Sequence, residues 1–389
     1  MVRPTPAYGH RLAQVRAVLA ESGLDALLVT HPPNLRYLVG FDGSMGALIL
    51  SSTTCTLVVD GRYATSARAR LANVDALRVV VVQLAEQSHE ETIARVVMSG
   101  APMQNLGVEA AAMTISRFDR LSEALGRAES DAPVPAAAPR LRALERVVER
   151  VRVVKDESEV ATLREAARLL STAAVEALSL VHAGRRERDI AADIDAVLRH
   201  AGFERPAFET IVASGPNSAL PHARPGDRIL APSDGVVLDF GGVYDGYCVD
   251  LTRTVQLAPS TDSFGEVFDA VHAAHAVALA SVRAGVKASD VDAAARTLLT
   301  ARGLGEAFVH GTGHGLGLEV HEEPRITRAG LSHPDETLAE GMIFTIEPGA
   351  YLPGVGGVRI EDDVLVLREG CEVLTDVPID QKGRGIQPT

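Results

Sequence analysis

Two spacings of apolar positions alternate through the first 130 residues. Leu12, Val15, Val18 and Leu19 fall on one side of a 3.6-residue period and stop at Gly23, predicting a helix over residues 11–22. Residues 25–30 (Asp-Ala-Leu-Leu-Val-Thr) form a short apolar run that ends at His31-Pro-Pro, which predicts a buried strand. Apolar residues 47–50 and 56–59 flank the polar turn Ser51-Ser-Thr-Thr54, the pattern of a hairpin. A helix from about Tyr63, a strand over 77–84, a further helix, a strand over 106–109 and a helix near 118–125 complete an α/β unit.

Residues 131–139 carry three prolines in nine positions, which favours a linker over a regular element. The expected domains are therefore 1–138 and 139–389. After the linker, Val160, Leu163, Ala167, Leu170, Ala174 and Leu178 step by three or four along one long core-facing helix. A weak internal repeat follows. His182-Ala-Gly, Asp189-Ile-Ala-Ala and Gly202-Phe203 recur as Arg283-Ala-Gly, Asp290-Val-Asp-Ala and Gly303-Leu304, at an offset of 101 throughout. Val237-Leu-Asp-Phe-Gly241 is echoed by Thr345-Ile-Glu-Pro-Gly349 at an offset of 108. The second domain is thus expected to hold two pseudo-symmetric α+β halves, each presenting strands that carry a carboxylate.

Composition narrows the function. Lys plus Arg is 38 and Asp plus Glu is 51, a net charge of −13, and no Lys/Arg-rich run interrupts the acid excess. That argues against nucleic acid and anionic lipid as partners. The longest apolar runs are strand-length, so no membrane span is expected. No apolar signal-like segment stands near Met1, and the three cysteines, Cys55, Cys248 and Cys371, are odd in number and far apart. The expectation is a cytoplasmic protein without a disulfide framework.

The acids are not spread evenly. Asp239 and Asp250 each lie among apolar residues in β-rich stretches joined by a Gly-rich turn. Glu347 and Glu361 repeat the arrangement. A buried, unpaired carboxylate costs several kcal/mol, so each needs a cation. Arg253 offers an ordinary ion pair to the first two acids, but four buried acids in one half-chain call for divalent ions, and oxygen donors suit hard cations. His310, His314 and His321 lie within twelve positions among glycines, and an imidazole shifts the preference toward Mn²⁺, Co²⁺, Fe²⁺ or Zn²⁺. His222 reads as a water-exposed loop histidine. His272 and His275 read as a solvated helix face, since no matching acid stands nearby in sequence. Cys248 reads as a small apolar filler.

The ordered set Asp239, Asp250, His314, Glu347, Glu361 resembles the dinuclear metallopeptidases of the pita-bread fold, a family that includes methionine aminopeptidase, aminopeptidase P and prolidase. The resemblance covers about residues 150–375. Asn34-Leu-Arg-Tyr-Leu-Val-Gly-Phe41 and Val59-Asp-Gly-Arg-Tyr63 are similar to the family's creatinase-type N-terminal domain. Methionine aminopeptidases lack that domain, so the Xaa-Pro-cleaving branch fits better. Creatinase shares the fold without the metal ligands, whereas all five stand here. The resemblance implies an α/β creatinase-like domain followed by an α+β pita-bread domain with a pseudo-two-fold repeat. It implies two divalent ions, Mn²⁺ first and Co²⁺ or Zn²⁺ as alternatives. Asp239 would hold one metal, Asp250 and Glu361 would bridge both, and His314 and Glu347 would hold the other. His222, His310, His321 and Arg359 would bind substrate, stabilise charge or move a proton.

The implied activity is hydrolysis of Xaa-Pro bonds. Within it, an Xaa-Pro dipeptidase must anchor a free carboxylate just after proline, and an aminopeptidase P must leave that space open. Arg359, or Arg36 of a partner's N-terminal domain, is the expected anchor. The absence of a long insertion near 325–345 favours the dipeptidase. A homodimer acting on proline-containing di- or oligopeptides is implied. A catalytically silent binding protein on the same fold is the reading from a different class.

Overall fold

The computed structural model describes residues 4–70, 74, 77–82, 88–130, 137–257, 262–330 and 334–379. The chain divides into two compact units, Pro6–Arg152 and the remainder from Val153 onward together with the extreme N-terminus.

In the first unit, helices α1 (Tyr8–Glu21), α2 (Pro32–Val39), α3 (Ala64–Arg70), α4 (His89–Met98) and α5 (Ile115–Ser130) accompany strands β1 (Ala26–Val29), β2 (Ala47–Ser51), β3 (Cys55–Asp60), β4 (Leu77–Val82), β5 (Asn105–Glu109) and β6 (Arg140–Leu144). The sheet order is β4-β3-β2-β1-β5-β6. The hairpin pairs β2 and β3 are antiparallel, and the outer pairs β3–β4, β1–β5 and β5–β6 are parallel. Alternate residues Ala26, Leu28, Ala47, Ile49, Leu106 and Val108 pack on α4 and α5. Residues of the opposite parity, Leu27, Val29, Leu48, Leu50, Leu57 and Val59, are equally buried. A sheet covered on both faces explains why its strands read as unbroken apolar runs.

Two points of the sequence reading need revision here. The dipeptide His31-Pro32 ends β1, as expected, but Pro32 then opens a helix, because proline is pre-set for the first helical turn. The chain leaves the first unit between Arg152 and Val153, not at 138/139. The cause is β6, which adds to the sheet edge beside β5, with no residue fully buried and hence no apolar pattern to betray it. Most of the proline-rich stretch, residues 131–136, and the end of the expected strand at 83–84 lie outside the described residues.

The first unit closes on the short helix α6 (Glu149–Arg152), and the second opens with α7 (Glu157–Ser179). Asp156 and Glu159 close a capping box on α7, and Leu163, Ala167, Leu170 and Ala174 of the expected stripe are buried. Helices α8 (Glu187–His200) and α10 (Ala288–Ala301) have matching lengths and bounds 101 residues apart, as the repeat predicts, and Gly202 and Gly303 end them at positive φ. Helix α9 (Asp262–Ser281) precedes α10. The first half contributes β7 (Arg205–Pro206), β8 (Ile211–Ser214), β9 (Gly235–Tyr244) and β10 (Tyr247–Gln256), with both β7 and β8 on β9. The second contributes β11 (Gly313–Gly315), β12 (Glu322–Ile326), β13 (Ile343–Ile346), β14 (Gly349–Leu352), β15 (Gly356–Arg359), β16 (Asp362–Val366) and β17 (Cys371–Val373). Their sheet runs β12-β11-β13-β16-β17, and β14 pairs with β15. A core of α9, α10 and the inner faces of β13 and β16 fills this half.

Candidate metal centre

Strand register decides which acids meet. In the β9–β10 hairpin, Asp239 stands opposite Thr252 and Gly241 opposite Asp250. Cross-strand partners share a face and side chains alternate, so Asp239, Asp250 and Thr252 point the same way and Arg253 points the other. In the second sheet Thr345 stands opposite Asp363. Two residues further along each strand direction, Glu347 and Glu361 share that face. Gly313 lets β11 approach β13: a Cβ there would lie 1.8 Å from the Thr345 carbonyl oxygen. His314 is thereby brought beside the acids, with Nε2 3.8 Å from Asp250 and 3.7 Å from Glu347.

All nine residues expected from the sequence line one cavity of about 590 Å³: Asp239, Asp250, His314, Glu347 and Glu361, with His222, His310, His321 and Arg359. Ligand atoms of Asp250, His314 and Glu361 lie within 4.8 Å of one another. The donor set fits divalent ions. Oδ1 of Asp239, Oδ1 of Asp250 and Oε1 of Glu361 are buried and lack a hydrogen-bond partner. Burial, then repulsion from neighbouring acids, drives the Asp250 and Glu361 carboxyls well above the usual range. Burial pushes Glu347 up to about 8 against the opposing pull of Arg359 and Arg325. Burial holds His314 at about 3, which keeps its imidazole neutral and its lone pair available. Buried oxygens without donors, facing a neutral imidazole, form a donor set suited to divalent cations.

The nearby arginines are used differently from what the sequence implied. Arg253 does not neutralise Asp239 or Asp250; it lies on the reverse face and pairs with Asp362 at 2.7 Å. Arg359 is wholly buried in protein contacts: Nη2 pairs with Asp239, Nη1 donates to the Tyr351 hydroxyl (2.7 Å) and the Pro221 carbonyl (3.2 Å), and Nε donates to Thr252 (3.2 Å). Four of its five N–H groups are thus engaged within the protein, and the residue still lines the cavity. The Arg36 side chain pairs with Asp42 at 2.6 Å in the first unit.

Three further residues escaped the sequence. Tyr351 takes the Arg359 bond and sits 2.9 Å from His310 Nε2. His310 Nδ1 lies 2.7 Å from the Gly311 carbonyl, which only accepts, so Nε2 receives the tyrosine proton. Burial holds His310 at about 4, so this neutral form persists. Thr252 donates to Glu361 Oε2 at 2.6 Å, holding the carboxylate from the side. Arg325 stands opposite His314 in the β11–β12 register and lines the cavity, its Nε buried without a hydrogen-bond partner. Desolvation and the Arg325 charge lower the His321 pKa, and the His321 ring meets that of His314 edge-on at 4.4 Å. Spacing from the histidines was the one available signal for Arg325, since in a hairpin the residue opposite a site residue shares its face. His222 is exposed, as a loop histidine should be, yet it also forms part of the cavity wall.

One expectation fails outright. His275 is not on a solvated face. It is 2% exposed, and Nε2 lies 3.1 Å from Asp362, an acid supplied from 87 residues further along the chain. His272 is half-buried against Phe268.

Comparison with known proteins agrees with this geometry. Residues 161–368 match metallopeptidase family M24, and residues 11–154 match the creatinase/prolidase N-terminal domain. An Xaa-Pro dipeptidase of Pyrococcus furiosus is 31% identical over 367 residues, 94% of this chain and 97% of its own. The structure of an Xaa-Pro dipeptidase from Bacillus anthracis superposes with a TM-score of 0.88 at 32% identity, covering 96% of this chain and 99% of that one. An X-Pro aminopeptidase from Thermotoga maritima gives 0.82 at 33% identity, covering 94% and 99%. With its creatinase-type first domain, its pita-bread second domain and the matches to both, the chain belongs to metallopeptidase family M24.

Proposed function

We propose that this chain is a dinuclear metallo-exopeptidase that hydrolyses the Xaa-Pro bond of dipeptides. Its two divalent ions are held by Asp239, Asp250, His314, Glu347 and Glu361, with Mn²⁺ the first choice because the donors are four carboxylates and one imidazole. Bound there, such ions lower the pKa of water and polarise the scissile carbonyl.

The chain's own residues divide the remaining work. His321 and His222 face the cavity and reach the substrate. His310 and Arg359 act through Tyr351 and Asp239: Arg359 holds one oxygen of Asp239 and leaves Oδ1 for a metal. The Xaa-Pro bond is a tertiary amide without an N–H, so a site that recognises the peptide by its end groups suits it.

Arg325 carries the preference for dipeptides. Its guanidinium lines the cavity beside His314 and His321, and its buried Nε has no partner within the protein. A free carboxylate immediately after proline supplies that partner through charge-assisted hydrogen bonds. The names of the Pyrococcus and Bacillus anthracis relatives support the same substrate. The Thermotoga aminopeptidase favours the second reading, aminopeptidase P activity on longer peptides. The test is hydrolysis of Ala-Pro against Ala-Pro-Ala-Ala by Mn²⁺-reconstituted protein. Faster cleavage of Ala-Pro is expected; fast tetrapeptide cleavage with inert dipeptide reverses the assignment, and inertness toward both with metal bound returns the silent-binder reading. A homodimer is also proposed, and light scattering that finds only the single-chain mass refutes it.

A further inference from the structure

The strands that present the metal ligands have a second face, and it is ionic. Glu361 and Asp362 are consecutive, so their side chains leave the backbone in opposite directions. Arg253 likewise points away from Asp250 and Thr252. Behind the site, Arg253 Nη2 donates to Asp362 Oδ1 (2.7 Å), Thr375 donates to the same oxygen (2.7 Å), and His275 Nε2 lies 3.1 Å from Oδ2. Arg253, Asp362 and His275 are 3%, 3% and 2% exposed.

This cluster is tied to the backbone of the site. Arg253 Nη1 donates to the carbonyl of Glu361 (2.6 Å) and to that of Thr252 (3.0 Å). The Glu361 amide donates to the Thr252 carbonyl (3.1 Å), and the Thr252 hydroxyl donates to the Glu361 carboxylate (2.6 Å). Arg253 also grips the Val377 carbonyl through Nη2 (2.7 Å) and Nε (3.2 Å). One guanidinium thus clamps both strands that carry the bridging acids. Asp362 holds the guanidinium, and His275, reaching from α9, places Nε2 against the other Asp362 oxygen without an aligned hydrogen bond.

We propose that His275, Asp362 and Arg253 form a positioning relay that holds the Glu361 and Thr252 backbones, and through them the Glu361 carboxylate, in register for the metal pair. None of the three touches a metal or the substrate. The proposal rests on the two-metal reading of the front face. Groups behind a ligand that fix its orientation typically change metal affinity by roughly 10–100-fold when removed. His275 is the separable member, because it carries no backbone contact and its loss leaves the Arg253–Asp362 pair intact.

The test measures Mn²⁺ binding to chelator-treated full-length protein by calorimetric titration, alongside the melting temperature of the same metal-free protein. His275→Leu should weaken binding of the more loosely held ion by roughly tenfold or more. His275→Gln, which keeps a polar group able to face Asp362, should recover most of it. Thr375→Val, nearly isosteric, removes one donor to Asp362 and should weaken binding by a smaller factor, and it covers the case in which His275→Leu does not fold. Melting temperatures that fall while Mn²⁺ affinity stays at the wild-type value in His275→Leu and Thr375→Val overturn the relay and leave a packing role. Failure of His275→Gln to recover affinity overturns it as well. Failure of the wild-type protein to bind Mn²⁺ sinks the two-metal reading instead, so the two failures are distinguishable.

Discussion

Glu361 and Asp362 are neighbours in sequence and both are buried, yet they solve the problem of a buried charge in opposite ways. Asp362 accepts from Arg253 and Thr375, and His275 Nε2 stands 3.1 Å from its other oxygen. Its carboxyl is lowered, the surrounding donors and charges outweighing the burial that acts against it. Glu361 has one hydroxyl donor, a buried oxygen with none, and other acids for neighbours, and its carboxyl is driven upward. One acid is completed by the chain; the other keeps a buried oxygen that the chain does not pair. The arginines divide along the same line. Arg253 and Arg359 pair with carboxylates of the protein, while Arg325 lines the cavity and keeps a buried Nε without a hydrogen-bond partner. Unpaired buried oxygens gathered at one cavity, and not burial alone, mark the site.

The largest effect should come from the incomplete acid. Glu361→Ala is expected to reduce Ala-Pro hydrolysis by roughly a thousandfold or more after Mn²⁺ or Co²⁺ reconstitution, the loss of several kcal/mol of transition-state stabilisation. Wild-type turnover in that variant would erase the distinction between the two neighbours. Stability should invert the order. Asp362→Asn strips Arg253 of its counter-charge and should destabilise the metal-free protein by about 3–5 kcal/mol in urea unfolding. Glu361→Gln removes a carboxylate that has no cation and should stabilise metal-free protein at pH 8 by about 1–3 kcal/mol. Equal signs for the two would break the comparison.

The pH dependence sharpens it further. Folded metal-free protein holds Glu347 at about 8, against an ordinary 4.5, and raises Asp250 and Glu361 as well. A carboxyl raised on folding favours the folded state while protonated, so metal-free protein should lose stability as pH climbs from about 4.5 to 8. Metal binding needs the ionised forms, so its stabilising effect grows over the same interval. Melting temperatures of chelated and Mn²⁺-loaded protein at pH 5 and pH 8 should therefore diverge toward pH 8; a gap that narrows refutes the assignment of these acids as ligands.

Among the arginines, Arg325→Leu should raise KM for Ala-Pro by roughly 10–100-fold, the worth of a charge-assisted hydrogen bond, and leave Ala-Pro-Ala-Ala little changed. An equal rise for both peptides would place Arg325 elsewhere in recognition. The smallest effect should be that of Tyr351→Phe, which cuts the link from Arg359 to His310 and should lower kcat by roughly two- to tenfold. An unchanged kcat would make that link structural only.

Much of this was legible from the chain itself. The hydrophobic periods located most helices and strands of the first unit, the 101-residue repeat announced a pair of corresponding helices that α8 and α10 supply at the same offset, and acids embedded in apolar strands marked Asp239, Asp250, Glu347 and Glu361. These signals are local: a period, a spacing or a charge in the wrong surroundings needs no partner to be noticed. His275 was misread because its acid lies 87 residues away, and distance along the chain carries no information about a packed interior. The edge strand β6 was missed because an edge strand is half-solvated and has no apolar pattern to show.

Sequence by itself thus determined the elements, the repeat and the residues that had to be explained. Tertiary structure alone decided which cation each charge receives. Arg253 could as well have served Asp250; strand register and alternation turned it to the reverse face, and set Arg359 against Asp239 at the cavity. Pairing in a folded protein is set by which faces meet, and only the fold assigns the faces.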